Sequence, residues 1–333
     1  TSYGASKMRN KVLTDTQIIS LIDCGDYKIF EAGIQTMVMM FKKNGNKDDY
    51  TFDYRRITGH ELSFNDVTSI LNKEKYNHIV YLTPIVNKDK FANRILTFAN
   101  TGDEILLDKM QSRANFQLNP NIEIAQGIVP NPDIIGTSNI ENISKEKIQK
   151  YGIKKRDGVF VILNDYFDTH YNLNEYERAL LKPIYEPIDL NKYTLKKSSS
   201  KKIIYLTKGV DDSKIPEIKR HLEKYKEIMN GRRENKNGRL KYYHLHWPRD
   251  EHFFKEGPKI LAVRKCLHPV FTYIEKQAYV MMSINVISTV RIDLKYLTGL
   301  LNSKLIEFWL KNKGKMQGNN YQIDKEPLIN LPI

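Results

Sequence analysis

Between Gly231 and Asp250 the chain reads GRRENKNGRLKYYHLHWPRD, six basic side chains against two acidic ones, with two tyrosines and a tryptophan among them. Arginine and lysine neutralise phosphate and release condensed counterions, and an aromatic ring stacks on a base, so this composition suits a nucleic acid. It equally describes a solvated helix end braced by buried rings, because Tyr and Trp pack in cores more often than they stack on bases. The candidate DNA contacts here are Arg232, Arg233, Lys236, Arg239 and Lys241, with Arg264 and Lys265 further on. A second basic segment, KNKGKMQGNNYQID at 311–324, adds Lys313 and Lys315, with Asn319 and Asn320 as candidate readers of base edges.

His244 and His246 stand two residues apart, a spacing that would put both imidazoles on one face of a strand and that zinc accepts. Only Asp250, Glu251 and His252 stand nearby as further ligands, so polar contacts are the expected role and no metal is expected. In GDYKIFEAGIQT, Phe30 falls in a loop between two apolar runs, ordinarily the place of a core aromatic at a strand end. The chain has no GxGxxG, Walker A, CxxC or GxSxG motif and no carboxylate pair with nuclease spacing, so no catalytic set emerges.

The elements that must position these residues follow from the apolar pattern. A short helix at ASKMRNKVL precedes the strands QIISLIDCGD, IQTMVMMF and YTFDYRR, and the turn around Gly45 reads as a hairpin between the last two. A helix over 61–72, the strand HIVYLTPIV and helical text through ILLDKMQSRA follow, before Pro and Asn cluster in a domain entry of short strands and turns. Beyond it, DGVFVIL and KKIIYLTK read as strands, and NEYERALLKPIYEP as a short helix halted by Pro183 and Pro187. Ile215, Ile218, Leu222, Tyr225 and Met229 recur at helical spacing, which predicts one long helix from about Ser213. Strands at KILAVRKC, VFTYIEK and AYVMMSINVI lead to a helix from about Asp293, with Leu294, Leu297, Leu301, Leu305 and Phe308 on one face.

The 333 residues carry a net charge of +14, which makes a polyanion the first partner to consider, although a Lys-, Asn- and Ile-rich chain also reflects an AT-biased genome. The charge is localised: residues 201–265 hold 18 basic residues against nine acidic, whereas residues 1–57 hold nine against seven. Cys24 and Cys266 are the only cysteines and lie far apart in sequence, which argues against a disulfide framework or a four-thiolate zinc site and fits a reducing cytosol. No run of eighteen apolar residues, basic-then-apolar signal or lipidation motif is present, so a soluble, cytoplasmic protein with no membrane partner is expected. The chain opens without Met, in TSYGASKMRNKVL, which reads as a fragment.

That opening, through TQIISLIDCGDYKIFEAGIQTMVMMFKK, resembles the segment after the catalytic motif in N6-adenine DNA methyltransferases of the TaqI-like, type II restriction–modification class. There a Gly leads into a Leu/Met-Arg helix, an IIDFG strand, a VF loop and a Thr-rich strand pair. IAQGIVPNPD, LLKPIYEPIDLNKY and YLTGLLNSKLIEFWLKNKGKMQGNNYQIDKEPLINLPI are similar to the specificity domain of the same class. The resemblance covers most of the chain except about 58–105. It implies the last strands of a Rossmann-like methyltransferase sheet over 1–57, a connecting or insertion segment over 58–105 and an α+β target-recognition domain over 106–333.

By position, Phe30 matches the family aromatic that packs on the flipped adenine, though EAG stands where relatives often carry Pro or Ser-Ala. The family's S-adenosylmethionine loop and its Asn/Asp-Pro-Pro-Tyr/Phe tetrapeptide lie upstream of the matching segment and are absent here. The resemblance therefore implies double-stranded DNA as partner, with the N-terminal part of the same protein as a second. It also implies S-adenosylmethionine in the full-length parent but none bound to this piece, which should not methylate alone. A non-enzymatic specificity subunit and an RNA-binding or RNA-modifying protein are the alternative readings.

Overall fold

The computed structural model describes residues 6–25, 27–31, 35–43, 49–58, 63–75, 77–87, 98–317 and 320–333. The chain forms two compact units, the first from residues 1–118, 264–269 and 300–333, the second from 119–263 and 270–299. Several small sheets, mostly antiparallel, alternate with short helices, a mixed α/β architecture.

In the first unit the strand Thr16–Asp23 is central: its apolar residues Ile18, Leu21 and Ile22 are buried. It pairs antiparallel with Met37–Lys43 on one edge and parallel with Asp53–Ile57 on the other. Ile79–Leu82 closes the sheet antiparallel to Asp53–Ile57. Apolar runs and turn residues reveal that strands exist but not which ones pair, and the expected hairpin about Gly45 is corrected on this point. Met37–Lys43 pairs backwards with the first strand, and the chain crosses to that strand's other side before Asp53–Ile57; residues 44–48 of the turn lie outside the described residues.

Only one pairing in this sheet is parallel and the first strand has neighbours on both edges, so the sheet does not establish the expected Rossmann-like end. Residues 58–105 supply the strand Ile79–Leu82 of this sheet and the helix Phe64–Asn72. Ser63 begins that helix with a capping box: its hydroxyl accepts from the Asp66 amide while Asp66 Oδ2 accepts from the Ser63 amide at 2.6 Å. Arg55, on the neighbouring strand, donates to the carbonyls of Ile70 and Leu71 at the helix's last turn, where a cation complements the helix dipole.

Toward the C-terminus the expected continuous helix is two helices, Leu294–Leu301 and Lys304–Lys313. The break comes at Asn302–Ser303, because the Ser303 hydroxyl accepts from the Ile306 amide and starts a new helix. Restarting the helix shifts its buried face: Ile306, Trp309 and Leu310 are buried while Leu305 is exposed.

The second unit contains two four-stranded sheets. One orders Tyr279–Val280, Leu181–Tyr185, Lys201–Ile204 and Val161–Leu163, and the other orders Phe271–Ile274, Lys259–Val263, Ile284–Ile287 and Ile124–Gln126. Leu181–Tyr185 is a correction, since the short helix expected in NEYERALLKPIYEP, halted by Pro183 and Pro187, already ends at Ala179 and the chain continues as a strand with Pro183 inside it. The helix expected from Ser213 is likewise two pieces, Pro216–Glu223 and Lys226–Asn230, separated at Lys224–Tyr225. Ile215, Ile218, Leu222, Tyr225 and Met229 are nonetheless all buried, so the periodicity recorded which side chains face the core even though the helix is interrupted.

Two buried carboxylates hold this unit together. Glu177, fully buried, accepts from the Asn174 amide at the start of its own helix. It also accepts from the amides of Glu217 and Ile218 at 2.8 and 3.0 Å, where the helix Pro216–Glu223 leaves its first N–H groups unpaired. Glu123 accepts from Arg291 through Nε at 2.7 Å and Nη2 at 2.5 Å, from the Thr289 hydroxyl and from the Asn119 amide. The Arg291 hydrogen bonds hold its carboxyl down at about 2.

Both carboxylates can be tested through stability. Glu177→Ala leaves buried N–H groups without an acceptor and should cost about 3 kcal/mol in urea unfolding, with Glu177→Gln costing less. Because the Glu123 carboxyl is lower in the folded chain than its ordinary 4.5, its contribution is fully present above pH 4.5 and is lost as the pH falls toward 2. Glu123→Gln should therefore flatten stability against pH in that window and leave the slope near neutrality unchanged.

Candidate nucleic-acid interface

The basic-aromatic stretch is built around Arg232, which is 7% exposed. Its guanidinium donates to the carbonyls of Met229, Asn131, His244 and Tyr242, and to Asn235 Oδ1, over 2.8–3.3 Å. Burial lowers the guanidinium to about 10, still protonated at neutral pH. This corrects the expectation that Arg232 touches DNA: all three nitrogens are engaged inside the protein, fixing the turn 242–244 and the loop at Asn131 around one cation. A run of like charges does not reveal which member folds inward, because only a set of converging carbonyls makes burial tolerable.

Arg233, Lys236 and Arg239 point the other way and are exposed. The short helix Arg233–Lys236 carries the first two, and Arg239 follows Gly238, whose φ of +68° makes the turn. Lys241 is exposed and paired with Asp212 at 2.7 Å, which also accepts from the Tyr243 hydroxyl. Lys241 and Tyr243 hold the Asp212 carboxyl at about 2. An exposed pair of this kind contributes little to stability, so Lys241 can exchange its carboxylate for a phosphate.

The remaining candidates lie in the first unit. Arg264 and Lys315 converge on Asp324 at 2.6 and 3.1 Å, and Lys313 pairs with Glu104 at 2.8 Å. Burial pushes the Asp324 carboxyl up, but the two cations bring it below its ordinary range. These three basic residues are engaged in internal ion pairs, which departs from their expected availability to DNA. Lys265 is exposed on the strand Lys265–Cys266, Asn320 is half-buried on Asn320–Gln322, and Asn319 lies outside the described residues.

The aromatics of the stretch separate as well. Tyr243 is buried, Tyr242 is half-buried with Lys226 Nζ 4.9 Å from its ring centre, and Trp247 is 48% exposed. His244 is buried and its imidazole is lowered to about 4, by burial and then by Lys241 and Arg232. His246 faces Glu234 at 2.9 Å and Asn131 at 3.1 Å. Among the described residues no group of three or more His, Cys, Asp or Glu side chains is placed to hold a metal ion. Sequence reading missed Gln126 and Arg249, which hydrogen-bond to each other at 2.9 Å. Arg249 lay inside the basic-aromatic stretch without being singled out, and Gln126 in the Gly- and Pro-rich entry segment.

Phe30 is 59% exposed, so it is not the core aromatic its position ordinarily implies. It follows the carboxyl end of the central strand Thr16–Asp23. There Asp23 Oδ1 accepts from the Gly25 amide, and Oδ2 lies within 3.4 Å of the Tyr54 hydroxyl and 3.6 Å of Arg56. Gly25 has φ +57°, and a Cβ on it would come within 2.5 Å of the Ile57 carbonyl oxygen, so only glycine fits this turn.

The exposed cations Arg233, Lys236 and Arg239 lie in the second unit, on a chain of mixed α/β architecture. Residues 182–333 match the TaqI-like C-terminal specificity domain. The chain is also similar in fold to the type IIL restriction–modification enzyme MmeI, whose structure is in complex with DNA. That match has a TM-score of 0.52 and 10% identity, and covers 96% of this chain and 37% of that one. A type IIG restriction endonuclease, BpuSI, aligns over 99% of this chain and 38% of its own with a TM-score of 0.37 and 11% identity. The chain thus spans less than two-fifths of the length of these enzymes. No described helix is long and apolar enough to cross a membrane.

Arg232→Ala should destabilise the second unit by about 3 kcal/mol in urea unfolding, because it leaves buried carbonyls unpaired. Arg232→Lys should recover little of this, since an ammonium cannot reproduce the planar fork. Arg233→Ala should leave the unfolding midpoint unchanged.

Proposed function

We propose that this chain recognises a specific sequence in double-stranded DNA as the specificity part of a restriction–modification enzyme that methylates adenine at N6. The observation that carries the proposal is the match of residues 182–333 to a TaqI-like specificity domain, and the exposed Arg233, Lys236 and Arg239 support it. These cations engage phosphates and hold the duplex in register, while polar side chains beside them read base edges. The S-adenosylmethionine-dependent step, in this reading, is performed by a catalytic region carrying the cofactor loop and tetrapeptide that this sequence lacks. Phe30, exposed beside the central strand's carboxyl end, is the residue this chain offers to that step, packing on the extruded adenine.

The test is duplex binding as a function of salt. Changing Arg233, Lys236 and Arg239 together to Ala should weaken binding and make the plot of log affinity against log salt shallower by about 0.9 for each phosphate no longer neutralised. Unfolding should be unaffected. Unchanged affinity and slope would remove these residues from the interface.

A further inference from the structure

Trp247 is the large exposed aromatic of the basic stretch, and the structure fixes it in place without covering it. Its backbone is paired on both sides with Val129, N–H to carbonyl at 3.0 and 3.1 Å. The Arg249 guanidinium lies 5.9 Å from the indole and the His246 ring 5.2 Å from it. Arg249 donates to the Gly127 carbonyl and to Gln126 Oε1, and Gln126 Nε2 donates in turn to the Met282 carbonyl. Val129 and Met282 are both walls of an open cavity of about 470 Å³, so the Trp247 backbone runs alongside one of its walls, although the indole is not itself part of the lining.

The cavity has the chemistry of a nucleobase site. Pro130, Pro132 and Pro187 give it rigid apolar walls suited to a flat ring, and Met281 adds an adaptable apolar surface. Asn131 Nδ2, Asp133 Oδ1 and Asn139 Oδ1 are engaged by His246, Ile134 and Gly136. It is the second polar atom of each, Asn131 Oδ1, Asp133 Oδ2 and Asn139 Nδ2, that is able to meet a base's hydrogen-bonding edge. Asp133, with Glu186 also in the lining, makes it a poor phosphate site. A base pair stacked inside a duplex presents no isolated ring to a concave site, so an occupant has to leave the stack.

We infer that a nucleobase unstacked from the bound DNA enters this cavity, with the Trp247 indole stacking on it at the mouth and Arg249 positioning the indole. The inference rests on the DNA-recognition reading and deepens it, because it assigns the second unit a base-specific contact beyond phosphate binding. Unstacking costs free energy that pocket contacts offset, and the cost is least at a mismatched base.

The experiment uses the intact chain with two synthetic duplexes of the same sequence, one fully paired and one with a central mismatch. It monitors anisotropy of labelled DNA and tryptophan emission. Trp309, 4% exposed, should contribute a constant background, so the change reports Trp247. The mismatched duplex should bind several-fold tighter and quench the emission. Trp247→Phe should remove the quench while retaining most of the affinity. Trp247→Ala should lose about tenfold in affinity with the salt slope unchanged, because no charge is removed. Binding by both duplexes with unaltered emission and no effect of Trp247→Ala would overturn the inference and leave DNA recognition standing. No binding to either duplex by the folded chain would instead overturn the DNA reading beneath it.

Discussion

The candidate interface depends on one buried guanidinium. Arg232 gathers carbonyls from Met229, Asn131, Tyr242 and His244, so a helix end, an entry loop and a turn are held at one point. A charge taken out of water needs such a set of acceptors, and once they converge each becomes costly to leave unpaired. The geometry outside follows from it. The outward-facing Arg233 and Lys236 start immediately after this residue, and Trp247 and Arg249 follow the turn that it fixes.

The positive charge of this chain therefore does two jobs that composition cannot separate. Arg232 organises the interior, while Arg264, Lys313 and Lys315 neutralise Asp324 and Glu104 within the first unit. Arg233, Lys236, Arg239 and Lys265 are exposed to solvent and lend themselves to a polyanion. Counting basic residues overstates the available field, and the difference is set by where carboxylates and carbonyls happen to fold.

Much of the fold was legible in the sequence, for reasons that also explain the failures. Apolar periodicity records burial, so Ile215, Ile218, Leu222 and Met229 were placed correctly in a core. It does not record helix continuity, which depends on local caps: Ser303 restarts a helix that the leucine spacing had run through. Pairing was illegible because a strand's neighbour is chosen by the whole sheet, as Met37–Lys43 shows by pairing backwards with Thr16–Asp23. Of the candidate site, the stretch 231–250 was found but its residues were not sorted. Arg249 and Gln126 meet across more than a hundred residues, a contact that no local pattern signals.

The central claim is that this chain reads sequence in duplex DNA, and selection from a pool of random-sequence duplexes tests it most directly. At a salt concentration that suppresses non-specific contacts, the account predicts enrichment of one short sequence, which an equal excess of RNA does not displace. Recovery of unenriched duplexes, or displacement of the bound DNA by RNA, would contradict it.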